Sequence, residues 1–254
     1  MSDLALIARR SVRRTFRQPA LIVPTFAFPL PLLALNSAGL SGATKIPGFP
    51  TDSYLDFALT VCFMQAGLFA ATTAGTELAT DIETGFINRL QLTPLRRLAI
   101  LAGELTGGLA VAAMASVIFI AVGLIAGVSF QSGPVGLLVL LVLGVLVALG
   151  FAGIGAMMAA ASGSAEAVQG LFPLLFVTFF LSSLNLPRPL IETDWFRTVT
   201  TWNPVSYMVE GLRSLIITGW DGTALWKGFL AAGAIALLSL LGASRALRTR
   251  LGRT

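Results

Sequence analysis

This sequence predicts an all-α polytopic membrane protein, with about six transmembrane helices, an N-terminal amphipathic interfacial helix and an outer re-entrant helix. Three observations carry that prediction. Of the 254 residues, 56% are hydrophobic and 11% charged, against roughly 25% charged in a soluble globular domain. Several apolar stretches run for the about 20 residues that a helix needs to cross a hydrocarbon layer roughly 30 Å thick. The basic residues, which give a net charge of +5, stand at the ends of those stretches. That is the positive-inside pattern rather than a nucleic-acid-binding face. With no His and only Cys62, the chain has neither a disulfide framework nor a Cys/His metal cluster.

Residues 1–19 form the interfacial helix. Leu4, Ile7, Ala8, Val12 and Phe16 fall on one side at helical spacing, while Arg9, Arg10, Arg13, Arg14 and Arg17 take the other, with Leu6 the misfit. Such a helix lies in the headgroup layer, either as a simple anchor or as a helix that also touches a cytoplasmic partner. No short apolar core with a small-residue cleavage site follows the arginines, so the first apolar stretch is expected to stay in the mature protein.

The first span, residues 20–40, contains Pro24, Pro29 and Pro31; each removes a backbone donor, so a kinked helix is expected. The second span covers 54–79, with Asp56 and Glu77 near its ends. A loop over 80–97 leads to the third span at 105–128. The uncharged link 129–134 is a tight hairpin into the fourth span at 135–161. The fifth span covers 168–184, an outer loop covers 185–224, and the sixth span covers 225–244. The N-terminal segment, Arg89, Arg96 and Arg97, and the tail with Arg245, Arg248, Arg250 and Arg253 hold twelve basic residues. The other side holds five: Lys45, Arg188, Arg197, Arg213 and Lys227. Both termini are therefore expected in the cytoplasm of a protein integral to the cell membrane, which requires an even number of spans. The chain reads as one transmembrane domain over 1–254, without a clear internal repeat.

Two connecting segments carry further information. In the 80–97 loop, Gly85 can end one helix, Phe86, Ile87 and Leu90 line one face of a short helical turn, and Pro94 stops it. An apolar-faced helix exposed to the cytosol wants a protein partner; the alternative is a turn tucked against the membrane surface. In the outer loop, Asn203 is a good N-cap, Pro204 suits the first helical position and Gly219 suits the exit. Val205, Met208, Leu212, Leu215 and Ile216 form an apolar stripe on that helix, and Glu210 and Arg213, three apart, are placed to pair. The helix is too short and too charged to span. It either dips into the outer leaflet or plugs a gap between spans, its polar groups satisfied by protein or water.

Taken together, Glu83-Thr84-Gly85, Leu90, Thr93-Pro94-Leu95-Arg96, Asn203-Pro204, Tyr207, Glu210 and Arg213 resemble the pattern of the type-2 ABC exporter permeases. The chain is most similar to the daunorubicin-resistance type of drug and lipid exporter, and the resemblance covers nearly its whole length. It implies that the loop helix and the N-terminal helix contact a separate nucleotide-binding subunit. Glu83, Gly85, Phe86, Ile87, Arg89, Leu90, Thr93 and Pro94, with Arg9 and Arg13, become the coupling residues. Asn203, Pro204, Tyr207, Glu210 and Arg213 become the outer gate. Two permease halves, identical or paralogous, would enclose the substrate route. Where the family has a Lys after the Gly at the start of the third span, this chain has Gly103-Glu104, so no charge contact is carried over there. ATP and magnesium belong to the partner, since no Gly-x-x-x-x-Gly-Lys-Ser/Thr loop occurs in the sequence.

The expected function is outward movement of a hydrophobic or amphipathic substrate, such as a drug, lipid, polyketide or glycolipid. Phe57, Phe63, Met64, Phe172, Phe176 and Phe179 are candidates for lining its route, against the plainer reading that they pack or meet lipid. An ion-coupled secondary transporter is the alternative. It needs ionisable groups near the midplane, where a charge costs at least about 2.5–3.5 kcal/mol. Asp56, Glu77 and Glu104 instead lie near predicted span ends. An enzyme would need an acid-base pair or metal cluster within the spans, and a channel a ring of charge or a filter loop; the sequence offers none of these.

Overall fold

A computed structural model describes residues 3–90 and 97–251; Thr93 and Pro94 lie outside them, as does the side chain of Leu90. Among the described residues the chain is helical throughout, without strands. Helix α1 (Asp3–Thr15) precedes a first apolar segment that proline breaks into α2 (Pro19–Ile22), α3 (Pro24–Ala27) and α4 (Pro29–Gly39). Pro19, Pro24 and Pro29 each start one piece, because a residue without an N–H costs nothing in a first turn. The expected kink is therefore a double break, and Pro31 is absorbed within α4.

Helix α5 (Tyr54–Glu83) is the axis of the bundle. Its 30 residues extend about 45 Å, well beyond the hydrocarbon thickness. Ser53 caps its start by accepting from the Asp56 N–H. Gly85, at φ 69°, turns the chain into the short α6 (Phe86–Leu90). Then α7 (Arg97–Ile125) and α8 (Gly133–Ser162) form an antiparallel pair joined by a tight turn.

Lipid supplies no hydrophobic drive between helices, so small residues that let backbones approach decide this packing. One stripe of α5, Ala66, Ala70 and Ala74, is buried, and Ala70 and Ala74 border Gly108 of α7. The adjacent stripe, Gly67, Ala71 and Gly75, faces α8. A Cβ on Gly155 would overlap the Ala71 carbonyl, and one on Gly67 would meet the Phe151 ring at 3.1 Å. On α8 the small residues recur every fourth position, Gly144, Ala148, Ala152, Ala156 and Ala160, all buried.

After α8 the chain reverses at Gly163, which has φ 68°, into α9 (Ala165–Gln169) and α10 (Leu171–Phe180). Helices α11 (Asp194–Trp202) and α12 (Pro204–Ile217) follow, and α13 (Gly222–Leu251) returns along α8. Among the described residues, five helical segments are long and apolar enough to cross a membrane: Pro19–Gly39, Tyr54–Glu83, Ile100–Ile125, Gly133–Ser162 and Gly222–Arg250. The expected fifth span is the shorter apolar segment Ala165–Phe180. Its 16 residues reach about 24 Å, short of a full crossing of roughly 30 Å.

The ends of the bundle are set by contacts. Arg10 reaches Asp81 and Glu104, the Ala165 N–H donates to Glu83 at 3.1 Å, and Gly163 lies against Arg250. The N-terminal helix, the α5–α6 turn, the start of α7, the α8–α9 turn and the end of α13 therefore share one end, the basic one.

Candidate coupling surface and outer gate

At the basic end, α1 docks on α5 and α7 through a face repeating every four residues, Ile7, Ser11 and Thr15, all buried. Gly103 and Gly107 of α7 leave the space: a Cβ at 103 would strike Ile7 and one at 107 would overlap Thr15. Ser11 Oγ donates to the Glu104 carbonyl at 2.7 Å and accepts from the Gly107 N–H at 3.0 Å. Thr15 Oγ1 donates to Glu77 Oε1 at 2.7 Å.

An ion-pair cluster completes the joint. Arg10 grips Asp81 with two parallel bonds of 3.0 and 3.1 Å and reaches Glu104 Oε1 at 3.2 Å. Arg14 Nη1 lies 2.6 Å from Asp81. The Asp81 hydrogen bond pushes the Arg10 guanidinium above its ordinary value, against the burial that pulls it down. Asp81 and Glu104 are nearly inaccessible. Buried charge is tolerated only when paired, so α1 supplies what these carboxylates need.

The α6 face takes a different direction from the one the sequence suggests. Ile87 is fully buried in the bundle's inner core. Phe86, partly buried, carries the Arg10 guanidinium 3.7 Å above its ring. Apolar area buried within the protein gains roughly 25 cal/mol per Å2 over exposure to water, so this face turns inward. Arg89 and Glu83 remain exposed beside it. On α1, Arg9 and Arg13 are exposed on the side away from the joint.

At the other end, α11 and α12 form a helical hairpin. The Phe179 ring packs edge-on against Phe151 at 5.2 Å, near the middle of the 30-residue α8, so α10 ends close to the centre of the bundle. Its free carbonyls are met by one side chain: Asn203 Nδ2 donates to Thr178 O at 2.7 Å and to Leu181 O at 2.9 Å. Asn203 Oδ1 accepts from the Val205 N–H at 2.9 Å, capping α12, and Pro204 follows. From there the 14 residues of α12 rise about 21 Å to the α7–α8 turn. The Gln131 and Ser132 N–H groups donate to the carbonyls of Ile216 and Leu215 at that turn. Gly219, at φ 87°, makes the exit. Val205, Met208, Leu212, Leu215 and Ile216 are all buried.

The charges of α12 pair otherwise than their spacing suggests. Glu210 binds the Arg188 guanidinium through two bonds, one of them from Nε at 2.6 Å. Arg188 also lies 4.6 Å from the Tyr207 ring. The Glu210 bond raises the Arg188 guanidinium over the opposing pull of burial, which is the larger single influence. Arg213 points to the chain that leaves α10, donating to the carbonyls of Ser183 at 3.0 Å and Leu184 at 2.8 Å. Those two carbonyls belong to an irregular segment with no helical partners, and a guanidinium, unlike a carboxylate, can donate to them. Tyr207 donates to Thr201 O at 2.8 Å, tying the two arms of the hairpin.

The six route candidates separate. Phe57, Phe63, Met64 and Phe179 are fully buried within the protomer core, where they pack. Phe176 is partly buried and stacked at 5.9 Å on Phe172. Phe172 borders a cavity of about 390 Å3 between α2, α5 and α9–α10, shared with Phe69, Thr72, Thr76 and Gln169. Sequence reasoning did not single out Asp81, Arg14, Ser11, Thr15 or Arg188 as site residues. Gly103 and Gly107, four apart around Glu104, carried the signal of a close helix contact.

Three curated relatives are similar to the chain. A daunorubicin resistance ABC transporter permease protein of Streptomyces coeruleorubidus is 31% identical over 201 residues, covering 74% of this chain and 64% of that protein. The chain thus spans slightly less than two thirds of that relative. The transport permeases named ycf38 of Porphyra purpurea and Pyropia yezoensis are 26% and 25% identical, covering 88% and 85% of this chain and 77% and 74% of theirs. The profile of the ABC-2 type transporter family matches residues 2–217, which takes in α1, the 80–97 segment and the hairpin. With that span matched and these elements in place, the chain belongs to the ABC-2 type transporter family.

Proposed function

We propose that this chain is the transmembrane permease subunit of an ATP-driven exporter. It moves a hydrophobic or amphipathic substrate, of the drug, lipid, polyketide or glycolipid class, outward across the cell membrane. The observation that carries the reading is the half-crossing hairpin: α10 stops near the bundle centre and the outer half of its path is filled by α11 and α12, tied by Asn203. A segment closed by a few polar ties inside an apolar bundle suits a gate with two discrete states. Asn203, Pro204, Tyr207, Glu210 and Arg213 are its residues, and their partners Arg188 and Ser183 are the contacts that opening must break. The basic end would face the cytoplasm with both termini.

ATP hydrolysis belongs to a separate nucleotide-binding subunit, so the chain itself performs no chemistry. Glu83, Gly85, Phe86, Ile87, Arg89, Leu90, Thr93 and Pro94, with Arg9 and Arg13, form the proposed coupling surface. The inward-facing Ile87 and Phe86 support it as a transmitter: a push on exposed Arg89 reaches Arg10, Asp81 and α7 through packed groups. A second permease half, identical or paralogous, would cover the aromatic face left open by Trp202, 84% exposed at the hairpin bend, and Phe180. Of the route candidates, Phe172 has the best support because it borders an amphipathic cavity.

The test is co-purification with the candidate ATPase and measurement of ATP hydrolysis by wild type, Arg89→Glu and Leu90→Asp. We expect the ATPase to bind wild type and each substitution to weaken binding at least about tenfold, or about 1.4 kcal/mol. No association, with no nucleotide-dependent transport in vesicles, would return the chain to the ion-coupled alternative.

A further inference from the structure

The cavity of about 390 Å3 between α2, α5 and α9–α10 falls within the roughly 300–1,000 Å3 of small-molecule sites. Thr76 borders it seven residues, about 10 Å, before the end of α5 at Glu83. The cavity therefore lies in the half of the bundle nearer the basic end. Its lining combines Phe69 and Phe172, whose ring centroids are 5.8 Å apart, with the polar side chains of Thr72, Thr76 and Gln169. None of the lining residues is charged.

Two prolines add backbone acceptors to that lining. A proline has no N–H to give to the carbonyl four residues before it. Pro24 therefore leaves the Ala20 carbonyl without its helical donor, and Pro173 does the same to Gln169; all four residues border the cavity. In an apolar bundle, backbone without a helical partner is tolerated where it lines a cavity. Thr72 Oγ1 donates to the Phe69 carbonyl at 3.0 Å, which leaves its oxygen to accept. The lining thus offers several acceptors and no counter-charge. That suits a group that donates hydrogen bonds while remaining neutral, as a hydroxyl does. A charged head would go unpaired there, which an apolar bundle penalises heavily.

We propose that this cavity binds an uncharged amphipathic molecule whose polar end carries hydroxyl groups. The hydroxyls donate to the Ala20 and Gln169 carbonyls and exchange hydrogen bonds with Thr72 and Thr76, while the apolar part lies against Phe69 and Phe172. The proposal rests on the exporter reading for the role of the site, and narrows the substrate classes named there to neutral, hydroxyl-bearing ones such as a glycolipid or a hydroxylated polyketide. An exported substrate and a resident neutral glycolipid share this chemistry.

The test uses purified full-length permease in phosphatidylcholine nanodiscs, which keeps hydroxyl-bearing detergents out of the cavity. The tritiated probes are dioctanoylglycerol, its monoglucosyl derivative, anionic dioctanoyl phosphatidic acid and cationic dioctanoyl trimethylammonium propane, each displaced by unlabelled probe. Saturable binding of the glucosyl probe is expected, with both charged probes at least about tenfold weaker. Thr76→Val removes a hydroxyl at nearly constant volume, and Pro24→Ala returns an N–H to the Ala20 carbonyl. Each should weaken the glucosyl probe about fivefold, the equivalent of one hydrogen bond, and each should elute as wild type. Pro24→Ala mends a helix, so its loss of binding is not a loss of folding. A neutral glycolipid found by mass spectrometry on purified wild type and missing from Thr76→Val would keep the site and name a membrane lipid as its occupant. A site that purifies empty and fills with the added probe would keep it for an exported substrate. No saturable binding of the glucosyl probe, equal binding of a charged probe, or glucosyl binding unchanged in either variant would overturn the proposal. No ATPase enters the measurement: absent binding beside an associated ATPase overturns this site alone, and absent ATPase association beside intact binding overturns the exporter reading alone.

Discussion

At the scale of single residues, Asn203 does the most with one side chain. Its amide oxygen caps α12 while its amide nitrogen satisfies two carbonyls at the end of α10. In an apolar bundle those carbonyls have no water to turn to. Asn203→Ala should lower stability by about 1–3 kcal/mol, read as a lower unfolding temperature in detergent. Asn203→Asp keeps the cap acceptor but sets a carboxylate oxygen against both carbonyls, so it should be no more stable than Ala; an Asp variant as stable as wild type would remove the carbonyl ties from the account. The cap was legible in the sequence, because Asn before Pro ahead of an apolar stripe has a local signature. The second role was not, since Thr178 and Leu181 are more than twenty positions away. Glu210 and Arg213 teach the same lesson: three-residue spacing permits a pair, but the partners actually chosen, Arg188 for one and two carbonyls for the other, come from a segment that only the fold brings near.

Among elements, the packing of α5 against α8 is set by the absence of side chains. Gly155→Leu would drive a side chain into the Ala71 backbone, and overpacking of that kind typically costs about 1–3 kcal/mol or more. The expected result is loss of the monodisperse peak in size-exclusion chromatography. Gly233→Leu on α13, where an added Cβ meets nothing within 4 Å, should leave it unchanged. If both variants elute alike, the small-residue stripe is not what holds these helices. The stripes at 66, 70 and 74, at 67, 71 and 75, and from 144 to 160 are visible in the sequence as small residues every fourth position. The shortness of the fifth span was less visible. Residues 168–184 carry no charge and are mostly apolar, and hydropathy does not record that a helix ends halfway because a later hairpin completes its path. The direction of the α6 face was not legible for a related reason. Apolar spacing shows that Phe86 and Ile87 share a side, but whether that side meets a partner or the protein's own core depends on α1 lying beside it.

For the whole molecule, the contacts that gather α1, the α5–α6 turn, the α8–α9 turn and the end of α13 at one end fix which segments lie together, while the charge count predicts that this end faces the cytoplasm. Cys62 is buried, so Cys62→Ala gives a background without thiols. In it, Lys45→Cys should react with an impermeant maleimide on intact cells and Thr249→Cys only after permeabilisation, both positions being exposed. Labelling of Thr249→Cys on intact cells would invert the topology. Both the class and the positions of the long helices were determined by the sequence alone, because the bilayer demands lengths and hydropathy that are local properties. The ion-pair joint of Arg10, Arg14, Asp81 and Glu104, the half-crossing hairpin and the partners of Arg213 were decided only by the tertiary structure. A buried polar group is defined by its partners, and these partners come from distant parts of the chain.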